Sequence, residues 1–146
     1  MTGLLFFDTN VLVYGIDPTD PAKRRRAADL VRRAILRGAF IVSPQILNEC
    51  YRVLTDKRRL LSRDVARTYV GEFMPFCLAP LDGTTTQRAF VVQDRLGTSW
   101  WDSLVVASAL QAGAEAMVSE DLAFPSAFAD LRFVDPFATP SDPILS

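Results

Sequence analysis

The 146-residue sequence contains no histidine. That absence removes Ser-His-Asp and Cys-His nucleophilic catalysis, and histidine-bound zinc with them. Cysteine is almost as scarce. Cys50 and Cys77 are too few for a disulfide framework, and neither has a CxxC-type neighbour. Both read as small buried apolar residues. Lysine occurs only at positions 23 and 57. No apolar run approaches the ~18 residues that span a bilayer. The apolar stretch near the start, "LLFF", has no basic segment before it, so a signal peptide is not expected. The expectation is a cytoplasmic protein without a membrane partner. Its chemistry must come from carboxylates, hydroxyls, amides, Lys or Arg, and carboxylates favour hard cations such as magnesium or manganese.

Apolar residues make up 49% of the chain, enough for the core of one ordinary domain. The net charge is −1, yet the charges are sorted. Residues 1–67 carry an excess of +6 and residues 68–146 an excess of −7. The basic excess lies in "KRRRAADLVRRAILR" (23–37) and "DKRRLLSR" (56–63). Lys23, Arg24, Arg25, Arg26, Lys57, Arg58 and Arg59 are therefore candidate contacts to a polyanion such as RNA or to an acidic partner. The alternative is two solvated helix faces.

Short apolar segments alternate with helical ones. "LLFF" (4–7), "AFIV" (39–42), "FCLA" (76–79), "AMVS" (116–119) and "LRFV" (131–134) read as strands. Helices are expected from Asp20-Pro21 to about Arg37, from Ser43-Pro44 through "QILNECYRVLTD", and from Ser62 to about Phe73. Two more are expected over 84–96 and 99–112. Residues 138–146 form a Pro-rich tail with little core-forming content, after a single domain over 1–137. This alternation implies an α/β fold with a parallel sheet covered on both faces.

In such a sheet, sites form at the carboxyl ends of the strands. Asp8 follows the first strand directly, and Asp121 lies just past the fourth. Glu49 sits early in the helix leaving the second strand. Asp102 opens the helix that leads into the fourth strand, so it lies at the same edge. Each acid also has a plainer reading. Asp8 caps a turn, Glu49 snorkels beside an apolar stripe, Asp102 completes a capping box with Ser99, and Asp121 is a loop acid. Together, four converging carboxylates repel one another, and a divalent cation removes the conflict. Thr9, Asn10 and Ser119 add hydroxyl and amide groups beside them; turn formation is the plainer role for each.

"FFDTNVLVY", "ILNECYRVL", "WWDSLVVASAL" and "MVSEDLAF" resemble the four acidic blocks of PIN-domain ribonucleases, and among these the VapC-like toxins of toxin–antitoxin pairs. The resemblance spans residues 4 to about 134. It implies a PIN-like three-layer sandwich around a parallel sheet of about five strands. It also implies a magnesium- or manganese-dependent endoribonuclease whose metal-binding acids are Asp8, Glu49, Asp102 and Asp121. Ser119 falls on the family's [ST]-x-D hydroxyl, and Asn10 on the polar residue after the first acid. A homodimer and a cognate antitoxin are further implications.

Two rival readings remain. A haloacid-dehalogenase-type phosphatase also places an Asp after strand one, but it needs a second Asp where Asn10 stands. A non-catalytic PIN-like module would bind RNA or a partner without cutting. Trp100 and Trp101 point about 100° apart on a helix, so at least one is expected in the core. An exposed one could stack on an unpaired base. The other aromatics, chiefly Phe, read as core.

Overall fold

The computed structural model describes residues 3–122 and 127–146. The last two residues of the fourth acidic block, 123 and 124, lie outside the described residues. Four strands form one parallel sheet: β1 (Leu5–Phe7), β2 (Phe40–Ile41), β3 (Ala116–Val118) and β4 (Arg132–Val134), in the order β2-β1-β3-β4. β1 pairs with β3 in the register Leu5–Ala116, Phe6–Met117, Phe7–Val118. Every residue of β1 and β3 is buried, as a sheet covered on both faces requires.

Among the described residues, six α-helices accompany the sheet: α1 (Thr9–Tyr14), α2 (Pro21–Leu36), α3 (Pro44–Arg52), α4 (Arg63–Gly71), α5 (Gly83–Leu96) and α6 (Trp100–Gln111). Local chemistry explains their starts. Asp20, Ser43 and Ser62 each accept the backbone N–H of the third residue of their helix, and Pro21 and Pro44 occupy first-turn positions. Asp82 and Thr85 form a full capping box on α5. That helix ends at Gly97, whose φ of 67° is left-handed and favours glycine.

Four elements differ from the sequence expectation. The segment 76–79 is not a strand. Met74–Phe76 is a 3-10 turn, and a single bridge, Val42 to Cys77, reaches the sheet. Hence the described residues form four strands rather than the five expected. Cys77 is only half-buried there, whereas Cys50 is buried. Helix α1 was not among the expected helices, and its β-branched "NVLVY" has low helix propensity. Burial of Val11, Leu12 and Val13 against the core overrides that propensity. The helix after β2 is interrupted: α3 passes into a π-helical turn, Val53–Lys57, closed by Arg58 N–H donating to Val53 O at 2.9 Å. Finally, the Pro-rich tail contributes Leu145 to the core and ties back through an Arg132–Asp142 ion pair.

The core is built on β1 and α6. Residues Ser103 to Ala109 are buried without a gap, so α6 is enclosed on all sides rather than amphipathic. Leu110, just beyond this run, is only partly buried. The phenylalanines also divide: Phe6, Phe7 and Phe40 are fully buried, but Phe90 stays 55% exposed on α5.

Val106 is 0% exposed at the centre of this packing. Val106→Asp buries an unpaired charge and should cost more than about 4 kcal/mol. Thermal melting and solubility check this; a normally soluble variant with an unchanged midpoint would contradict the packing.

Candidate active site

The chain runs from β1 to β2 on one side and later reaches β3 on the other side of β1. Where strand order reverses in this way, a crevice opens beyond the strand ends. Asp8 follows β1 and Ser119 follows β3, so both lie at that reversal. A cleft of about 400 Å³ stands there, lined by Asp8, Glu49, Asp102 and Asp121 together with Glu120 and Lys57. The four acids predicted to converge do meet on this one cleft.

They are not equivalent. Asp8 is buried, Glu49 half-buried, and Asp102 and Asp121 exposed. Asp8 caps α1 and is also part of the cleft wall. Its Oδ1 accepts the Thr9 N–H at 2.8 Å. Its Oδ2 accepts the Ser119 hydroxyl at 2.7 Å. Ser119 is fully buried, and its Oγ in turn accepts the backbone N–H groups of Asp121 and Leu122. One hydroxyl thus orients Asp8 and shapes the loop that presents Asp121.

Asn10 stands between the acids. Its amide nitrogen lies 3.3 Å from Asp8 Oδ2, 3.1 Å from Ser119 Oγ and 3.2 Å from Asp121 Oδ2, while its Oδ1 accepts the Glu120 N–H. Glu49 is held similarly: Thr9 Oγ1 donates to Oε2 and Gln45 Nε2 donates to Oε1. Asp102 follows a half-formed cap. Its N–H donates to Ser99 Oγ, but the reciprocal bond of a capping box is not among the described contacts. Its carboxylate faces the cleft instead.

Burial pushes the Asp8 carboxyl up to about 6, and the Glu49 and Asp102 charges push the same way. Hydrogen bonds from Ser119 and Thr9 oppose this without cancelling it. An all-oxygen donor set around a carboxyl that resists ionisation suits a hard divalent cation. Yet among the described residues no three acidic or cysteine side chains are grouped closely enough to hold one ion. Thr9, Asn10 and Gln45 hydrogen-bond to oxygens of these carboxylates.

The basic candidates separate. Lys57 lines the cleft and makes no ion pair among the described residues. Arg58 also lines it but is held by buried Asp17, whose carboxyl stays below its usual range through hydrogen bonds from Thr19 and Arg58 that outweigh burial. Arg59, exposed, follows in a left-handed conformation. Lys23 is bound to Glu120 and packs over the Tyr14 and Phe137 rings. Its hydrogen bond to Glu120 holds its ammonium above the ordinary range. Arg24 is exposed on α2, while Arg25 and Arg26 line a separate hollow with Asp29 and Arg33. Sequence reasoning missed Gln45 and Glu120. Gln45 stands one helical turn before Glu49, a spacing that places both on one face.

The PIN domain family matches residues 5–128, and the chain belongs to that family. Its fold is similar to that of a chain in VapBC2 from Rickettsia felis, solved bound to a DNA fragment from their promoter. The two are 13% identical with a TM-score of 0.60, over 90% of this chain and 97% of that one. No curated protein matches the sequence.

The raised Asp8 carboxyl predicts a pH signature. The folded state binds its proton up to about pH 6, whereas the unfolded chain releases it near 3.8. Native stability from this group is therefore present at low pH and lost as pH rises through that window. In EDTA, the unfolding free energy of wild type relative to Asp8→Asn should tilt against wild type by roughly 2 kcal/mol between pH 4 and 7.5. Denaturant melts at several pH values measure it, and a flat difference would refute the shift.

Proposed function

We propose that the chain is a metal-dependent endoribonuclease that hydrolyses RNA phosphodiester bonds and serves as the toxin of a toxin–antitoxin pair. The observation carrying this reading is the convergence of Asp8, Glu49, Asp102 and Asp121, from four distant segments, on one cleft of a PIN-domain chain. In the reaction, a water oxygen bonds to phosphorus, one P–O ester bond breaks, and the leaving oxygen takes up a proton. Asp8, Glu49, Asp102 and Asp121 would hold magnesium or manganese. When bound, the ion supplies positive charge against the phosphate and Lewis acidity toward water.

The chain's own residues prepare that chemistry. Ser119 and the Thr9 N–H fix both oxygens of Asp8. Thr9 and Gln45 fix those of Glu49. Positioned groups of this kind lower the reorganisation needed at the reacting centre. Lys57 supplies a cation at the cleft for a phosphate, a role for which Lys23 is poorly placed because Glu120 engages it. The partners in this reading are RNA, a cognate antitoxin that blocks the cleft, and a second copy in a homodimer. Support for the antitoxin is the fold shared with a VapBC2 chain. No helix among the described residues is long and apolar enough to cross a membrane.

A non-catalytic binding module is the second reading. The hydrogen bonds that Thr9, Asn10 and Gln45 make to the carboxylates favour it, because they satisfy the acids without a cation. Cleavage decides between the two, since a binder shifts RNA without shortening it.

RNA shortening should require magnesium or manganese and stop in excess EDTA. Asp102→Asn should remain folded, lose at least about tenfold in rate, and show a smaller rise in melting temperature on adding metal. A near-normal rate and metal response would return Asp102 to the helix end alone. Lys57→Glu should weaken RNA binding and reduce its salt slope by about 1, whereas reversing Arg24, Arg25 and Arg26 should matter less. Equal effects from both sets, measured by titration at several salt concentrations, would contradict this division.

A further inference from the structure

Trp101 has no role in the cleft described above, yet it stands beside it. The residue precedes Asp102 in the first turn of α6, and its side chain is 64% exposed. Other large apolar side chains are also exposed, Leu36 and Leu78 among them, but Trp101 is set apart by its place next to Asp102 and by its backbone tie to Gln45 and Glu49. Its neighbour behaves oppositely. Trp100 is half-buried and stacked on Phe90, with ring centroids 5.3 Å apart and 28° between planes. One face of Trp100 is thus already covered, while Trp101 keeps its ring in solvent.

The position of Trp101 is locked to the acids. Gln45 Nε2 donates to Trp101 O at 3.0 Å and to Glu49 Oε1 at 3.1 Å. A single amide nitrogen therefore bridges the backbone that carries the indole and a carboxylate of the cleft. Gln45 is itself buried, and its contact ties the backbone at Trp101 to Glu49. Lys57, which makes no ion pair among the described residues, lines the cleft from the π-helical turn. A flat aromatic surface beside acids, with a cation at the cleft, is the combination that takes a single strand: phosphates meet charge and a base meets the ring.

We propose that Trp101 is the stacking platform for one unpaired base of a single-stranded RNA whose backbone lies in the cleft. This rests on the nuclease reading and names the residue that would hold an unpaired base beside the cleft. In a duplex the bases are stacked on one another and offer no free face to the indole. Because every base has a π-face, Trp101 supplies strand preference and position rather than strict sequence choice.

The test measures binding of a single-stranded oligoribonucleotide, and of the same sequence fully paired, in calcium, a hard cation that carboxylates also bind. Wild type should prefer the single strand. Trp101→Ala should weaken single-strand binding roughly 5- to 150-fold and leave duplex binding nearly unchanged. Trp101→Phe, which retains a ring, should recover most of the loss. Fluorescence locates the contact. In Trp100→Phe, where Trp101 is the remaining tryptophan, the oligonucleotide should quench emission; in Trp101→Phe it should not. Unchanged affinity in Trp101→Ala, or equal losses in the Ala and Phe variants, would overturn the proposal. A change of oligomeric state in Trp101→Ala, seen by sedimentation, would also overturn it by assigning the ring to a contact between copies. If wild type binds and is quenched yet never shortens RNA in magnesium or manganese, the nuclease reading falls while the stacking site stands.

Discussion

The structure depends on how one carboxyl is kept at the end of a buried strand. Asp8 leaves β1 where the chain has just contributed Leu5, Phe6 and Phe7 to the core. An unpaired charge at such depth is costly. Three donors answer it: the Thr9 N–H, the Ser119 hydroxyl and the Asn10 amide. Each does a second task. Thr9 N–H starts α1, Ser119 shapes the loop after β3, and Asn10 reaches Asp121 and the Glu120 backbone. Meeting the needs of one carboxyl therefore welds β1, α1 and the β3 loop into a cleft wall. The donors do not meet them fully, which is why Asp8 still holds its proton up to about pH 6.

The surrounding helices extend that wall. α3 delivers Glu49 and braces it with Gln45, and the same amide ties in the start of α6. The π-helical turn after α3 inserts an extra residue before Lys57, and such turns are frequent at functional sites. Its next residue, Arg58, is anchored to buried Asp17. The cationic side of the cleft is thus held through an ion pair to buried Asp17. The charge asymmetry along the sequence consequently splits in three dimensions: Lys57 and Arg58 join the cleft, while Arg25 and Arg26 face a different hollow.

Much of this was legible beforehand. Caps at Asp20, Ser43 and Ser62 marked helix starts because they act over three residues. The apolar segments at 4–7, 116–119 and 131–134 located strands of a parallel sheet, and the carboxyl-edge rule then brought Asp8, Glu49, Asp102 and Asp121 to one side. Less legible were α1 and the segment 76–79. In both, a short apolar stretch suits helix or strand alike, and tertiary burial decides. Phe90 and Trp101 were equally ambiguous, since hydrophobicity alone does not say which aromatic ring the core has room for.

The sequence by itself determined the chemical vocabulary and the edge on which it gathers: acids without histidine, each at a strand end or helix start. Those are local properties, set by residue type and by the period of the chain. Only the tertiary structure decided which neutral groups stand between the acids. Asn10 and Ser119 are 109 positions apart and meet at 3.1 Å because β1 and β3 are neighbours. Gln45 and Trp101 meet because α3 and α6 start at the same sheet edge. Contacts of that kind belong to the packing of distant segments, and no local pattern encodes them.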